Sequence, residues 1–301
     1  MELQDELYEK VHTRFEEILK GNPRIDELMQ KQLRKTASYQ DAHEYAQLIG
    51  DALREAMNAV TEADLPASGL DIGIADRLFG DHLRECDETM SAYCEAVQKG
   101  MNDVYKIGVK PKKPPSREDT VSAVVNKIAQ IENYSPEALD GIIDFATWSL
   151  QAADLYMKEN ADFLTKAGIP MMIMRTYEGP HWDPHRGKGG SIQDCKFCKE
   201  RATDGWEEYQ GSAEQEIYRR HRGCRCMVVT KFGDKMNTAW TNKSGQSLVD
   251  VYNRERERLR QLDSMDYKER YLDKKAQNRA NNRMRRRRRA IRYHRWLDEV
   301  E

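Results

Sequence analysis

The chain has 301 residues, a formal net charge of −2, and 33% charged against 39% hydrophobic residues. This length exceeds a usual single domain, and the low mean hydropathy of −0.87 argues against one thick globular core. Such a composition favours a mainly α-helical protein made of long amphipathic helices with narrow apolar stripes. No run of about 18 apolar residues occurs, and the acidic N-terminus does not resemble a secretory signal, so we expect no membrane contact and a reducing environment.

Four segments in the first third of the chain carry apolar residues at helical spacing and predict a helical bundle over residues 1–107. The predicted helices cover 3–20, 24–35, 39–61 and 74–104. Cys86 and Cys94 lie eight positions apart, on nearly the same face of the last of these helices. Because free cysteine is usually buried and inert, we expect both to be small core residues.

Residues 108–115 contain three prolines and three lysines. This composition excludes a helix and predicts an extended, semi-rigid linker between domains. A helical strut is expected over 116–168, with a capped helix starting at Ser116 and a second one opened by Ser135-Pro136. The second helix should run without a break to Gly168, where glycine ends it.

The hydrophobic period changes after the strut, and residues 169–240 predict a small module of a different kind. Residues 171–177 are apolar and bounded by Pro170 and Gly179, which indicates a strand. Residues 227–230 are its expected partner in a short β-hairpin. Pairing of these two strands would bring together the two groups of cysteines that lie between them.

Cysteine and histidine spacing in this module predicts a metal site. Cys195 and Cys198 place two thiols on one tight turn, as in a zinc knuckle, and His221, Cys224 and Cys226 follow after 22 intervening residues. These five side chains exceed the four places of a tetrahedral shell, so the ligand set stays open. Zinc favours thiolate and imidazole, and a closed site of this type is structural. The competing interpretation is that these cysteines are free thiols or that they form one disulfide. A cytosolic protein rarely keeps a disulfide.

Two further features accompany the predicted ligands. Gly223 would allow the backbone to fold back between His221 and Cys224. The loop over residues 178–190 contains His181 and His185, which could be an additional ligand or a catalytic pair. Loop histidines beside a complete ligand set are more often bystanders, so we place no catalytic residue there.

The last segment, 241–301, is expected to be a basic helical tail. From Arg254 to Arg295 the chain has 17 Lys+Arg against 6 Asp+Glu, an excess of +11, so the remaining residues sum to −13. Such a run favours contact with phosphates, with an affinity that falls steeply with salt and ignores base sequence. The alternative is a cationic helix end that is only solvated. The candidate nucleic-acid-binding residues are Arg283, Arg285, Arg286, Arg287, Arg288, Arg289, Arg292 and Arg295.

The order of these motifs resembles the C-terminal module of phage minor head proteins of the Mu F type. The resemblance rests on Arg175, on a helix ending in Ala167-Gly168, on Cys195-x-x-Cys198, and on His221-x-x-Cys224-x-Cys226 followed by a short strand. It covers residues 142–240, about a third of the chain. The histidine-containing loop before Cys195 and the Arg-rich tail depart from the family pattern.

The resemblance implies a non-enzymatic, structural minor head protein of a tailed bacteriophage, acting in head morphogenesis at or near the portal. Structural Zn²⁺ would be its cofactor. Its partners would be the portal protein, the major capsid or scaffolding protein, and packaged double-stranded DNA. Its location would be the virion, after assembly in the host cytoplasm. Two other classes stay open, namely a free-standing nucleic-acid-binding regulator and a zinc-stapled nuclease using His181, Asp183 and His185.

Overall fold

Helices make up most of the described chain, and a small antiparallel sheet follows them, which confirms the predicted mainly α-helical class. The computed structural model describes residues 3–65, 70–178, 181–183, 191–193, 195–211 and 216–233. The predicted tail over 241–301, with all of its candidate arginines from Arg283 to Arg295, lies outside these residues. In the described part of the chain, no helix combines the length and apolarity needed to cross a membrane.

The helices are α1 (Leu3–Lys20), α2 (Pro23–Leu33), α3 (Tyr39–Asp64), α4 (Ile72–Ala75), α5 (Asp81–Val104), α6 (Glu118–Ala129), α7 (Pro136–Asp140), α8 (Phe145–Lys166) and α9 (Lys196–Arg201). The strands are β1 (Met171–Arg175), β2 (His181–Asp183), β3 (Ser191–Gln193), β4 (Glu207–Glu208) and β5 (Val228–Phe232). A π-helical turn at Asp76–Gly80 joins α4 to α5, and a 3₁₀ turn covers Glu216–Tyr218.

Local sequence explains where the N-terminal helices begin. The Asn22 side chain accepts hydrogen bonds from two amides in the first turn of α2, and Pro23 takes the first helical position. Ser38 and Asp41 form a reciprocal capping box at the start of α3. The predicted N-terminal helices are therefore present, and the fourth differs only in the short π-helical turn near its start.

Cys86 and Cys94 are buried in α5, which confirms their prediction as core residues. The Cys86 sulfur lies 3.2 Å from the hydroxyl oxygen of Ser149 in α8. Burial raises the pKa of the Cys86 thiol to about 12. Both thiols are therefore protonated at neutral pH and contribute to packing rather than to reactivity.

Helix α8 is a core helix of the described fold, where it packs against α3 and α5. Its first six residues, 145–150, are all buried, so more than one face of the helix is covered. Gly50 of α3 permits the close crossing with α8, because a Cβ added there would lie 2.3 Å from the Ala146 Cα. The second helix of the predicted strut is therefore a central helix of the described fold.

The predicted unbroken helix from Ser135 to Gly168 is wrong, because the chain leaves the helical conformation between α7 and α8. Asp144 is extended, with φ −111° and ψ 103°. Its carboxylate accepts hydrogen bonds from the amide and the hydroxyl of Thr147, at 3.3 Å and 2.6 Å. An aspartate in this position starts a new helix, so α8 has its own N-cap.

Residues 108–115 contain no helix, as predicted, but the helices on their two sides share one core. The Lys112 amide donates to the Asn160 side-chain oxygen, and the Asn160 side-chain nitrogen donates back to the Lys112 carbonyl, both at 2.8 Å. The segment is therefore fastened along α8 by a buried side chain. The described residues as far as Gly233 lie in one compact unit.

Strand β1 lies in the middle of a three-stranded antiparallel sheet with the order β4-β1-β5. It pairs with β5 so that Ile173 lies opposite Thr230, which confirms the predicted pairing. A short pairing with β4 adds a strand that the sequence pattern did not indicate. The chain between β1 and β5 carries all of the predicted metal ligands. A second, two-stranded sheet pairs β2 with β3.

Replacing Gly50 by alanine should lower the free energy of unfolding by about 3 kcal/mol, the upper end of the cost of overpacking a core. The new methyl group would meet backbone atoms of α8, which cannot rotate away, so α3 and α8 must separate. Gly100→Ala in α5 is the matched control, because it has the same gain in helix propensity but its Cβ would lie 3.3 Å from the nearest atom. Urea unfolding measures both, and equal stabilities would contradict the close crossing.

Candidate metal centre

The first two candidate ligands lie at the start of the short helix α9. Cys195 is its N-cap, and the Cys195 sulfur accepts a hydrogen bond from the Cys198 amide at 3.4 Å. Cys198 is completely buried one turn further on. The predicted tight turn is thus the first turn of a helix, which directs both sulfur atoms to the same side.

The remaining candidate ligands lie in the loop that precedes β5. Gly223 has a φ of +74°, in the left-handed region that favours glycine, and the Cys224 amide donates to the His221 carbonyl at 3.1 Å. The Gly223 amide donates to the Asp144 carboxylate at 3.0 Å and to the Thr147 hydroxyl at 3.1 Å. The predicted fold-back is confirmed, and it is anchored to the start of α8.

All five predicted ligands come together around Cys198. Cys195, Cys198 and His221 form one group, and Cys198, Cys224 and Cys226 form another, with the ligand atoms of each group within 4.8 Å of one another. His221 Nε2 lies 3.1 Å from the sulfurs of both Cys195 and Cys198, and the Cys198 and Cys224 sulfurs are 3.6 Å apart. Zinc bond lengths in a tetrahedron give donor separations of about 3.6–3.8 Å. Each group could therefore hold a metal ion.

A hydrogen bond to the backbone sets the tautomer of His221. Its Nδ1 lies 2.6 Å from the Arg222 carbonyl oxygen, which can only accept a hydrogen bond. Nδ1 therefore carries a proton, and in the neutral ring the lone pair is on Nε2, which faces the sulfurs of Cys195 and Cys198. This arrangement is typical of metal-binding histidines, whose second nitrogen donates to a carbonyl or carboxylate.

Arg175, at the end of β1, lies behind the cluster and is fully buried. One of its terminal nitrogens donates to the carbonyls of Ile217 and Arg219, at 2.5 Å and 2.8 Å. The other lies 3.6 Å from the Cys198 sulfur and 3.5 Å from the Cys224 sulfur. A buried guanidinium needs negative partners, so its contact with the Cys224 sulfur favours the thiolate form of that residue.

A second buried guanidinium connects the cluster to α8. Arg220 forms a two-pronged ion pair with Asp154, with 3.0 Å between Arg220 Nη2 and Asp154 Oδ1. Its other terminal nitrogen lies 2.5 Å from the Cys226 carbonyl and 3.9 Å from the Cys224 sulfur. Burial raises the pKa of the Asp154 carboxyl, and Arg220 opposes that shift. The pair is thus what allows a carboxylate in the middle of a core helix.

The electrostatics of the cluster divide its thiols into two kinds. A hydrogen bond with Cys226 lowers the pKa of the Cys224 thiol far below its ordinary value, and Arg220 and Arg175 act in the same direction. The same hydrogen bond, together with burial, raises the pKa of Cys226. A hydrogen bond with Cys224 raises the pKa of His221 to about 9. A metal ion that binds here must displace protons, since its ligands bind in their deprotonated forms.

The sequence did not indicate the outer partners of the cluster. Only the family resemblance points to Arg175, and no sequence motif points to Arg220 or Asp154. The sequence does contain one sign of a buried ion pair, because Asp154 is an acidic residue inside the apolar run of α8. An acid at such a position predicts a buried cation as partner, although sequence alone does not reveal which one.

The structure does not describe the side chains of the remaining candidate residues in this module. His181 and Asp183 belong to β2, but only their backbone is described, and His185 is not described. Within the described residues all six cysteines are free thiols. No protein-family model, curated protein or solved structure matches this chain. Functional inference therefore depends on the geometry of this site and on the order of its residues.

Replacing Asp154 by asparagine should lower the free energy of unfolding by about 3–5 kcal/mol, because it leaves the buried Arg220 without its counter-ion. Asp103→Asn is the matched control, because Asp103 forms an exposed pair with Lys35 at 3.0 Å. Exposed pairs contribute about 1 kcal/mol or less. Denaturant unfolding of both variants tests the difference, and an Asp154 variant as stable as the control would show that the ion pair is dispensable.

Proposed function

We propose that this chain is a structural minor head protein of a tailed bacteriophage, in which a structural zinc ion stabilises the module after α8. The observation that carries the proposal is the enclosed character of the cluster. Its sulfurs are mostly buried, and two guanidinium groups and a helix N-terminus occupy the space around them. A metal held in this way ties protein segments together rather than meeting a substrate, so we propose no enzymatic activity.

Zinc is the metal that this donor set fits best, since thiolate and imidazole are its preferred ligands in tetrahedral sites. We propose Cys195, Cys198, His221 and Cys224 as the four ligands. Cys224 is close to Cys198 and hydrogen-bonds with His221, so it belongs with the first group. Cys226 then donates its S–H to the Cys224 thiolate. Three thiolates on Zn²⁺ leave one negative charge, which Arg175 and Arg220 offset.

Metal content should separate the ligands from their neighbours. Cys198→Ser and Cys224→Ser should each lose the bound zinc, because both remove a proposed ligand. Cys226→Ser should keep it, since a hydroxyl can still donate to the Cys224 thiolate. Cys86→Ser is the control, because Cys86 lies in α5 against Ser149.

The measurement is zinc per chain by mass spectrometry after dialysis against a chelator. If the Cys226 variant lost its zinc and the Cys224 variant kept it, Cys226 rather than Cys224 would be the fourth ligand. Retention in all cluster variants would remove the structural metal from the proposal.

The order of the motifs supports the head-protein part of the proposal. A long helix ending in Ala167-Gly168, the strand carrying Arg175, the Cys195-x-x-Cys198 pair and the His221-x-x-Cys224-x-Cys226 cluster follow one another as in the minor head proteins of the Mu F type. The contact between Arg175 and the cysteine sulfurs gives that arginine a physical reason to accompany the cysteines. The portal protein and the major capsid or scaffolding protein are the proposed protein partners.

Packaged double-stranded DNA is the proposed ligand of the tail. Charge supports this assignment, because five consecutive arginines, 285–289, repel one another unless they face a polyanion. Contacts of this kind neutralise phosphates and release counterions, so they carry no base specificity. The proposed location is the interior of the head or the portal vertex.

Quantitative mass spectrometry of purified procapsids, mature heads and emptied heads tests the proposal. We expect a small, fixed number of copies per head, with zinc in proportion to the protein. Depletion from emptied heads would indicate that the protein leaves with the DNA. Absence from every particle would overturn the proposed function and bring the regulator and nuclease classes forward. Cleavage of plasmid DNA by the purified protein, lost in His185→Ala without loss of zinc, would favour the nuclease.

A further inference from the structure

A second cluster of potential ligands lies between α1 and α5, among the N-terminal helices. It consists of His12 from α1 and of His82 and Glu85 from α5, and their ligand atoms lie within 4.8 Å of one another. His82 and Glu85 are three positions apart, so they project from the same side of their helix. None of these residues belongs to the cysteine cluster.

His82 is the most unusual member of this cluster, because its ring is almost entirely buried yet only one of its nitrogens has a partner. Only 2% of the residue is exposed. Its Nδ1 lies 2.7 Å from the Leu78 carbonyl, so Nδ1 carries the proton and Nε2 has the lone pair. The Nε2 atom is buried and makes no hydrogen bond. Buried polar atoms are normally satisfied, so an unpaired acceptor facing two other ligands points to a missing partner.

The other two side chains present atoms suited to the same partner. His12 Nε2 lies 3.5 Å from the Glu16 carboxylate, while His12 Nδ1 lies 4.0 Å from Glu85 Oε2 and makes no hydrogen bond. The Tyr8 hydroxyl donates to the other Glu85 oxygen and so holds the carboxylate in place. Metal-binding histidines and carboxylates usually have outer partners of this kind.

We propose that His12, His82 and Glu85 form a second metal site, which binds a divalent transition ion such as Zn²⁺ and joins α1 to α5. Two imidazoles and one carboxylate suit zinc, and three protein ligands leave a coordination position for water or an outside ligand. His12 and Glu85 are 39% and 45% exposed, so both can move inward by the roughly 1 Å that metal coordination requires. Their exposure also gives the ion a route from solvent.

Burial supports a metal ion rather than a proton as the missing partner. It lowers the pKa of His82 below the ordinary histidine value. The ring is therefore neutral at physiological pH, which is the form that binds metals. This site differs in kind from the cysteine cluster, because it contains no thiolate and is only partly enclosed, so its ion should exchange more readily.

Equilibrium dialysis of the full chain against buffered Zn²⁺, followed by metal analysis, tests the proposal. The unmodified protein should bind one more equivalent than Glu85→Gln or His82→Gln. Glu88→Gln is the matched control, because Glu88 lies one turn further along α5 and is exposed. It should bind as much zinc as the unmodified protein. Cys198→Ser should lose only the zinc of the cysteine cluster, which separates this site from that of the proposed function.

Far-UV circular dichroism checks that each variant remains folded, and Glu85→Gln keeps the test valid if His82→Gln does not fold. Half-exposed Glu85 can be replaced without opening the core. Equal zinc binding by the Glu85 and Glu88 variants would overturn the proposal. The proposal would also be overturned if the Cys198→Ser variant bound no zinc at all.

Discussion

The arrangement of the cysteine-containing module depends on two arginines that are buried without access to water. A guanidinium cannot lose its proton at any physiological pH, so its terminal nitrogens need acceptors. Arg220 finds them in Asp154 and the Cys226 carbonyl, and Arg175 finds them in two backbone carbonyls and two sulfurs. These contacts fix the loop before β5, the end of β1 and the middle of α8 relative to one another. The five cysteine and histidine side chains then converge because their backbone segments have been positioned by charge.

Much of the fold could be predicted from local sequence because local interactions determine it. Apolar spacing and the caps at Asn22 and Ser38 define the N-terminal helices, and a change of period marks β1 and β5. The break before α8 was missed because Asp144 acts as an N-cap only when its neighbours leave the helix. Strand β4 was missed because two residues carry no periodicity. The sequence does not show that helices on the two sides of residues 108–115 pack together, because that packing joins α3 and α5 to α8, which lies far from them in the chain.

The candidate site, too, could be predicted from the sequence only where local features determine it. Its ligands could be named because cysteine and histidine spacing is a local property with few structural explanations. The sequence does not show which of these thiols is most easily deprotonated, since that depends on which thiol lies beside the guanidinium groups. The sequence does not reveal the cluster of His12, His82 and Glu85, because three helices separate His12 from the other two residues and no spacing rule connects them. Only tertiary structure shows that the lone pair of His82 is buried and unpaired.

The ion pair between Asp154 and Arg220 also has a consequence for biosynthesis. The two residues are 66 positions apart, so α8 leaves the ribosome well before its counter-ion is made. Chains fold from the N-terminus as they emerge, so α8 is first made without the cation that Asp154 pairs with, and burial then favours the protonated form of that carboxyl. The packing of α8 against the cysteine-containing segment can consequently be completed only after Arg220 has been synthesised.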